Sequence, residues 1–328
     1  MYEHPLSEEE MTRILTAIMR GESSRGEMRS FLSVLAKRGE TAQEIAAAVR
    51  VLRAHAVQLP LSKSYELCDT CGTGGDAKGT INVSTLAALV AAAAGVRIAK
   101  HGNRAASSRC GSADLLEGLG VNLDATPAQV ARCIEELGFG FCFAPKFHPA
   151  MKAVAQVRKE LGIRTIFNLI GPLANPASLT FQLVGVSDER LLRPMAEALV
   201  RLGVRHCMVV HGRDGLDEVT TTHTTDVLEV RSGNISEWQI DPVRLGIRRS
   251  DLDELRGADV AENVSIAHQA LEGRPSPVSD IVSVNAGCAI YVADRANSIL
   301  DGIAKARAVL DSNQALRLLG RVQEMSHA

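Results

Sequence analysis

Four stretches of the 328-residue chain gather residue types that can do chemistry. The first is Gly72-Thr73-Gly74-Gly75-Asp76. Its glycines permit positive φ and let backbone N–H groups come close to an anion. Asn82-Val83-Ser84-Thr85 follows, where a helix should begin. The free N–H groups and positive dipole end of such a helix start favour phosphate or diphosphate. The plain alternative is a tight strand-to-helix turn with a hydroxyl cap. Neither nucleotide fingerprint fits: Gly72-x-Gly74 lacks the third glycine of the dinucleotide motif, and no Gly-Lys-Ser/Thr follows.

The second stretch runs from Lys100 to Asp114 and carries three cations, one histidine, one asparagine, three serines and two glycines. It follows a predicted buried strand, where open parallel sheets place their ligands, and offers many donors to phosphate oxygens. The third is Asp217-Glu218, beyond the strand candidate Val204 to Val210. Adjacent carboxylates after a strand form either a solvated turn or a Mg2+ site that keeps waters and shares the ion with a polyphosphate. The fourth is His148-Pro149-Ala150-Met151-Lys152 with Arg158 and Arg164, of which an arginine could clamp a carboxylate in two-pronged fashion.

Other arrangements fail. Cys68-x-x-Cys71 has no second pair and no histidine at ligand spacing, so neither zinc nor dithiol redox chemistry is expected. The nine histidines form no HExxH or facial-triad pattern. No Gly-x-Ser-x-Gly elbow occurs.

The elements that must position these groups change character along the chain. Ser7/Glu10 and Thr41/Glu44 are capping-box pairs, and three short amphipathic helices are predicted before residue 64. Glu66 to Cys71, a helix from about Ser84 to Ala94 and Val96 to Ala99 then make a βαβ unit, which implies a parallel sheet. Phe139 to Phe143, Phe181 to Val186, Val204 to Val210 and Asp226 to Val230 are further strand candidates. Helices are expected over 127–137, 189–201, 258–271, 281–292 and 298–322. A basic helix over 151–169 interrupts the alternation and is expected to return to the N-terminal helices.

The reading is therefore α/β. A small all-helical domain over 1–64, joined by inserted helices at about 150–178, accompanies a larger α/β domain over 65–328 with a mainly parallel sheet flanked by helices. Lys plus Arg is 36 and Asp plus Glu is 38, a net charge of −2 that argues against a protein built for a phosphate backbone. Aromatic residues are 3% of the chain, too few for a base-stacking platform. The longest apolar run, Leu86 to Val96, is too short to cross a bilayer. Seven irregularly spaced cysteines and an acidic N-terminus without an apolar stretch suit a reduced, cytoplasmic protein.

Taken together, the motifs resemble the anthranilate phosphoribosyltransferase family over nearly the whole chain. The resemblance rests on Asp69 to Asp76, Asn82 to Thr85, Lys100 to Asp114, His148 to Lys152, Arg164 to Leu173 and Gly215 to Glu218, all in order. It implies transfer of a phosphoribosyl group from 5-phosphoribosyl 1-diphosphate to the amine of anthranilate, with two Mg2+ ions per subunit, in a homodimer joined through the helical domain.

By the same resemblance, Gly72, Gly75, Asp76, Thr80, Asn82, Ser84 and Thr85 contact the diphosphoribose. Lys100, Asn103, Arg104, Ala105, Ala106, Ser107 and Ser108 form a loop that closes over the phosphates, with Ser112 at its far end and Lys100 stabilising charge. Gly72, His101, Asn103, His148 and Arg158 contact anthranilate or line its path. Ser84, Asp217 and Glu218 hold the metal, and no general acid or base is assigned. Ala77 and Ala153 depart from the family pattern without removing a charge. A pyrimidine nucleoside phosphorylase-like enzyme and a nucleic-acid-binding relative without transferase activity are the alternatives.

Overall fold

The computed structural model describes residues 4–105 and 108–328, and its first three helices are begun by one device. Helix α1 (Glu8–Met19) is capped by Ser7 with Glu10, α2 (Arg25–Arg38) by Ser24 with Glu27, and α3 (Ala42–Ala54) by Thr41 with Glu44. Each pair satisfies two otherwise unpaired backbone donors. The Ser24 box starts α2 two residues before the sequence reading placed it. Glu44 does more than cap. It is fully buried and also accepts from the Leu6 N–H at 2.8 Å and from Arg38 at 2.5 Å.

The rest of the chain alternates strand and helix: β1 (Leu67–Gly72), α4 (Val83–Ala93), β2 (Ile98–Gly102), α5 (Ser112–Gly118), α6 (Pro127–Leu137), β3 (Phe139–Phe143), α7 (Ala144–Phe147), α8 (Lys152–Leu161), α9 (Ile166–Ile170), β4 (Leu179–Gly185), α10 (Leu192–Arg201), β5 (His206–Gly212), β6 (Thr225–Arg231), β7 (Asn234–Ile240), α11 (Val260–Leu271), α12 (Pro277–Val292), α13 (Ile299–Asp311) and α14 (Gln314–His327). The described strands form one sheet in the order β3-β2-β1-β4-β5-β6-β7. Pairing is parallel from β3 to β5 and antiparallel beyond. The mainly parallel α/β reading is thus what the structure has.

Local differences have physical causes. Strand β7 was not foreseen, because most of its side chains are exposed and polar and it carries no apolar alternation. The turn before it, Ser232-Gly233, has positive φ at both positions, the geometry of a tight hairpin. The helix expected over 298–322 is two helices, parted at Asn313 with φ 57°. The one expected over 151–169 ends at left-handed Gly162 and resumes as α9. Helix α5 was not anticipated within the polar Lys100 to Asp114 stretch and its sequel.

Helix α8 packs on α2 and α9 on α3. Their apolar residues, with Leu15, Phe31 and Leu35, join Val184, Val209 and Leu199 in one cluster on one face of the sheet. The opposite face is covered by α4, α12, α13 and α14. Cys68 and Cys71, three residues apart on β1, point into these two different layers. All seven cysteines are reduced and buried. No helix among the described residues is long and apolar enough to cross a membrane.

Candidate active site

Strands β1, β2, β4 and β5 end side by side, each on a glycine: Gly72, Gly102, Gly185 and Gly212. This is the carboxyl edge at which open parallel sheets hold ligands. Two of these glycines make room for Asp217. A Cβ on Gly72 would lie 2.2 Å from the Asp217 Oδ2, and one on Gly185 would lie 1.6 Å from the Asp217 carbonyl oxygen. The Gly74 N–H donates to Asp217 Oδ2 at 2.7 Å. The first turn of α4 meets the neighbouring acid, with the Ser84 N–H donating to Glu218 Oε1 at 3.1 Å.

The helix start therefore already holds an anion. Glu218 takes the Ser84 N–H, while the N–H groups of Val83 and Thr85 are used by the carbonyls of Ile81 and Asn82. The sequence reading left these donors free for phosphate. Asn82 itself does not cap α4. It donates to the Cys110 carbonyl at 3.0 Å and so ties down the far end of the Arg/Ser loop. The Thr85 hydroxyl is buried without a partner among the described residues.

Asp76 approaches the same place from the glycine loop, where its negative charge bears on Asp217. Burial pushes Asp217 up to about 6, with Asp76 adding to the rise. Burial and Asp217 push Glu218 well above the carboxylate range. Lys100 offsets Glu218 and Lys78 offsets Asp76; Lys100 is fully buried, and its ammonium donates to the Thr70 carbonyl at 2.7 Å. No three acids among the described residues are close enough to hold an ion by themselves, so the hard carboxylate oxygens here fit a Mg2+ that keeps waters and shares its coordination with a diphosphate.

Lys100 lies in β2, not in the loop, which begins at Asn103. Its other neighbour is Asp69, buried on β1 and raised to about 6 by burial, with Lys100, the Asn175 amide and the His101 N–H countering the rise. The Asn175 amide donates to Asp69 Oδ2 at 2.9 Å. Beyond β2, Asp114 organises the loop by accepting from the Ala105 and Gly111 N–H groups, both at 2.9 Å. Arg104 is exposed and paired with Asp114 and Glu117 rather than aimed at the glycine loop. Ser112 donates to the Asn103 carbonyl at 3.2 Å, and Ser108 to the Cys110 carbonyl at 3.4 Å. Ala106 and Ser107 lie outside the described residues. Gly75 is exposed with φ 78°, and Thr80 bridges to Arg256 at the rim.

His101 and His148 meet edge to face, with ring centroids 5.1 Å apart. Burial drives His101 down to about 3 and lowers His148 as well, so both rings are neutral. Arg158, on α8, stacks over Phe167 at 5.6 Å and is partly buried, with no carboxylate partner among the described residues. A guanidinium in that state is poised to take an incoming carboxylate. Arg164 instead reaches Ser187 at 3.4 Å, and Ser187 holds the Gly74 carbonyl at 3.0 Å.

Known proteins share this fold. Residues 64–316 match the glycosyl transferase family a/b domain, and residues 1–56 match the helical bundle domain of that family. A protein of Thioalkalivibrio sulfidiphilus named anthranilate phosphoribosyltransferase is 50% identical, over 96% of this chain and 93% of its own. The crystal structure of anthranilate phosphoribosyltransferase from Thermus thermophilus superimposes with a TM-score of 0.95 at 47% identity, covering 99% of this chain and 97% of that one. The chain belongs to the anthranilate phosphoribosyltransferase family.

Membership makes it a pentosyltransferase-type enzyme. A more distant relative of the family, from Saccharomyces cerevisiae, was solved in complex with PRPP and Mg. It has a TM-score of 0.90 at 29% identity, covering 98% of this chain and 94% of that chain. Several site features escape a motif search even with the family known. Asp114 was visible only as a motif member, and its role depends on backbone donors of its own loop. Asp69 needs Asn175, 106 positions away, to show its environment. Arg53, which donates to the Leu173 carbonyl, has no local signature at all.

Proposed function

We propose that the protein transfers the 5-phosphoribosyl group of 5-phosphoribosyl 1-diphosphate to the amine of anthranilate, with Mg2+, in tryptophan biosynthesis. The observation that carries this reading is the acid cluster Asp76, Asp217 and Glu218 at the strand ends, beside the glycine loop and one buried lysine. The Saccharomyces cerevisiae relatives support it, one solved with PRPP and Mg and another with 4-fluoroanthranilate.

Asp217 and Glu218, with Ser84 beside them, would hold metal, two ions per subunit. When bound, the metal supplies positive charge against the departing diphosphate. The chain's own residues do the rest. The loop from Gly72 through Gly75 to Asp76, with Thr80, Asn82 and Thr85, lines the diphosphoribose. Asn103, Arg104, Ala105 to Ser108 and Ser112 cover it. Lys100, locked on Thr70, keeps the cluster from repelling an anionic substrate.

Arg158 fixes the anthranilate carboxylate, with Asn103 and Gly72 near the ring and His101 and His148 along its path. The amine nitrogen then bonds to the anomeric carbon as the carbon–oxygen bond to diphosphate breaks. The nitrogen sheds its proton afterwards, so no general base is required. Such orientation is worth up to ~7–11 kcal/mol of barrier in favourable cases.

The same reading divides the chain into a helical unit, 1–64 with 150–178, and an α/β unit, 65–328. It also includes a homodimer formed through the helices. A cytoplasmic location agrees with seven free, buried thiols. A phosphorylase-like activity and a nucleic-acid role have no support from the relatives named above. The test mixes purified protein with anthranilate, 5-phosphoribosyl 1-diphosphate and Mg2+ and follows the loss of anthranilate fluorescence. Absence of turnover by well-folded protein would sink the proposal.

A further inference from the structure

The segment after α9 offers three consecutive backbone carbonyls, and each is gripped by a side chain from elsewhere. His101 Nδ1 lies 3.2 Å from the Gly171 oxygen. The Gln182 amide donates to Pro172 at 2.7 Å. Arg53 donates twice to Leu173, from Nε at 3.1 Å and from Nη2 at 2.7 Å. Arg53 comes from α3, so the helical part of the molecule sets a turn that holds His101.

The Arg53 guanidinium makes no ion pair among the described residues, and burial lowers its pKa to about 10. A buried cation answered only by a carbonyl is costly. Its neighbourhood shows what that cost secures. Its charge, together with burial, disfavours protonation of both His101 and His148. A carbonyl can only accept, so the ring nitrogen facing it must carry the hydrogen. For His101 that nitrogen is Nδ1. The Nε2 of His101 is buried with no partner among the described residues, and the ring of His148 lies 5.1 Å away, centroid to centroid.

We propose that Arg53 is a positioning residue: by fixing the Gly171–Leu173 turn it presents His101 to the aromatic substrate as the neutral Nδ1–H tautomer, with Nε2 left for a donor. The inference rests on the transferase reading above for the identity of that substrate. Its structural half, the His101 tautomer and its dependence on Arg53, stands apart from turnover.

The experiment uses the full-length protein, Arg53→Met and Arg53→Lys. Nitrogen-15 spectra of the imidazoles are assigned with His101→Gln and His148→Gln, and steady-state kinetics are run with each substrate varied. In the unaltered protein the His101 ring should show a protonated Nδ1 and a bare Nε2. Arg53→Met should shift those signals toward mixed tautomers and raise KM for anthranilate about tenfold, with KM for the diphosphate substrate within about twofold. Arg53→Lys keeps the charge and one donor, and should recover most of the lost affinity. The proposal is overturned if the unaltered protein shows an Nε2–H ring at His101, an outcome independent of whether any variant folds. It is also overturned if Arg53→Met leaves the spectra unchanged or raises both KM values together. An inactive but well-folded parent overturns the transferase reading and leaves the spectra to decide on Arg53.

Discussion

Asp217 owes its position to two residues that have no side chain. Gly185 lies so close to the Asp217 carbonyl that a methyl group there would have to displace backbone. Gly185→Ala should cost about 1–3 kcal/mol of stability, read by urea denaturation, and should raise the Mg2+ concentration needed for activity. An unchanged denaturation midpoint would mean that the strand end yields freely. At Arg158 the expected change is kinetic. Arg158→Ala should raise KM for anthranilate about tenfold or more, as loss of a charge-assisted pair worth ~1.5–3 kcal/mol implies. A selective loss of affinity for the diphosphate substrate would place the residue elsewhere. The acids and the glycine loop were legible in the sequence because their chemistry is compressed into a few adjacent residues. Arg53 was not, because its acceptor lies 120 positions along the chain and is a backbone atom, which leaves no mark in residue type.

Helix starts were the most readable elements, since a capping box is written within four residues. The Thr41 box is also joined to the core through Glu44, whose second oxygen serves Leu6 and Arg38. Burial pushes that carboxyl up, but Arg38 and the Leu6 and Thr41 N–H groups outweigh it, and its pKa in the folded protein is lowered. An acid held below its unfolded value stabilises the fold above that value, and loses the contribution as pH falls through the folded one. Thermal stability should therefore drop as pH falls below about 4.5, and Glu44→Gln should flatten part of that fall while lowering stability at neutral pH. An unaltered pH profile in the variant would remove Glu44 from the account. Edge strand β7 was illegible for the opposite reason. It buries little, so its residues answer to solvent rather than to the sheet. The break between α13 and α14 falls at Asn313, where neither glycine nor proline announces it.

At the scale of the molecule, the sequence suggests two units of different texture. The structure gives them a common core, in which Leu15, Phe31 and Val157 belong to the same cluster as Val184 and Val209 of the sheet. Shared burial couples their unfolding. Trp238 fluorescence, a reporter on β7, and the helical circular dichroism signal should lose amplitude at one denaturant midpoint. Two separated midpoints would show that the helices detach on their own. Only the fold can reveal this, because a periodic apolar stripe tells which face of a helix is buried but not against what.

The cysteines make that layering countable. All seven thiols are reduced and enclosed, and burial pushes those of Cys68 and Cys71 upward, so they are inert while the protein is intact. These two sit on one strand yet face opposite layers. Each is a sealed tally mark for the layer above it. A pulse of thiol label during partial denaturation, read by peptide mass, should mark both in the same molecules if the layers part together. Label on Cys71 alone would record that the helical side peels away first.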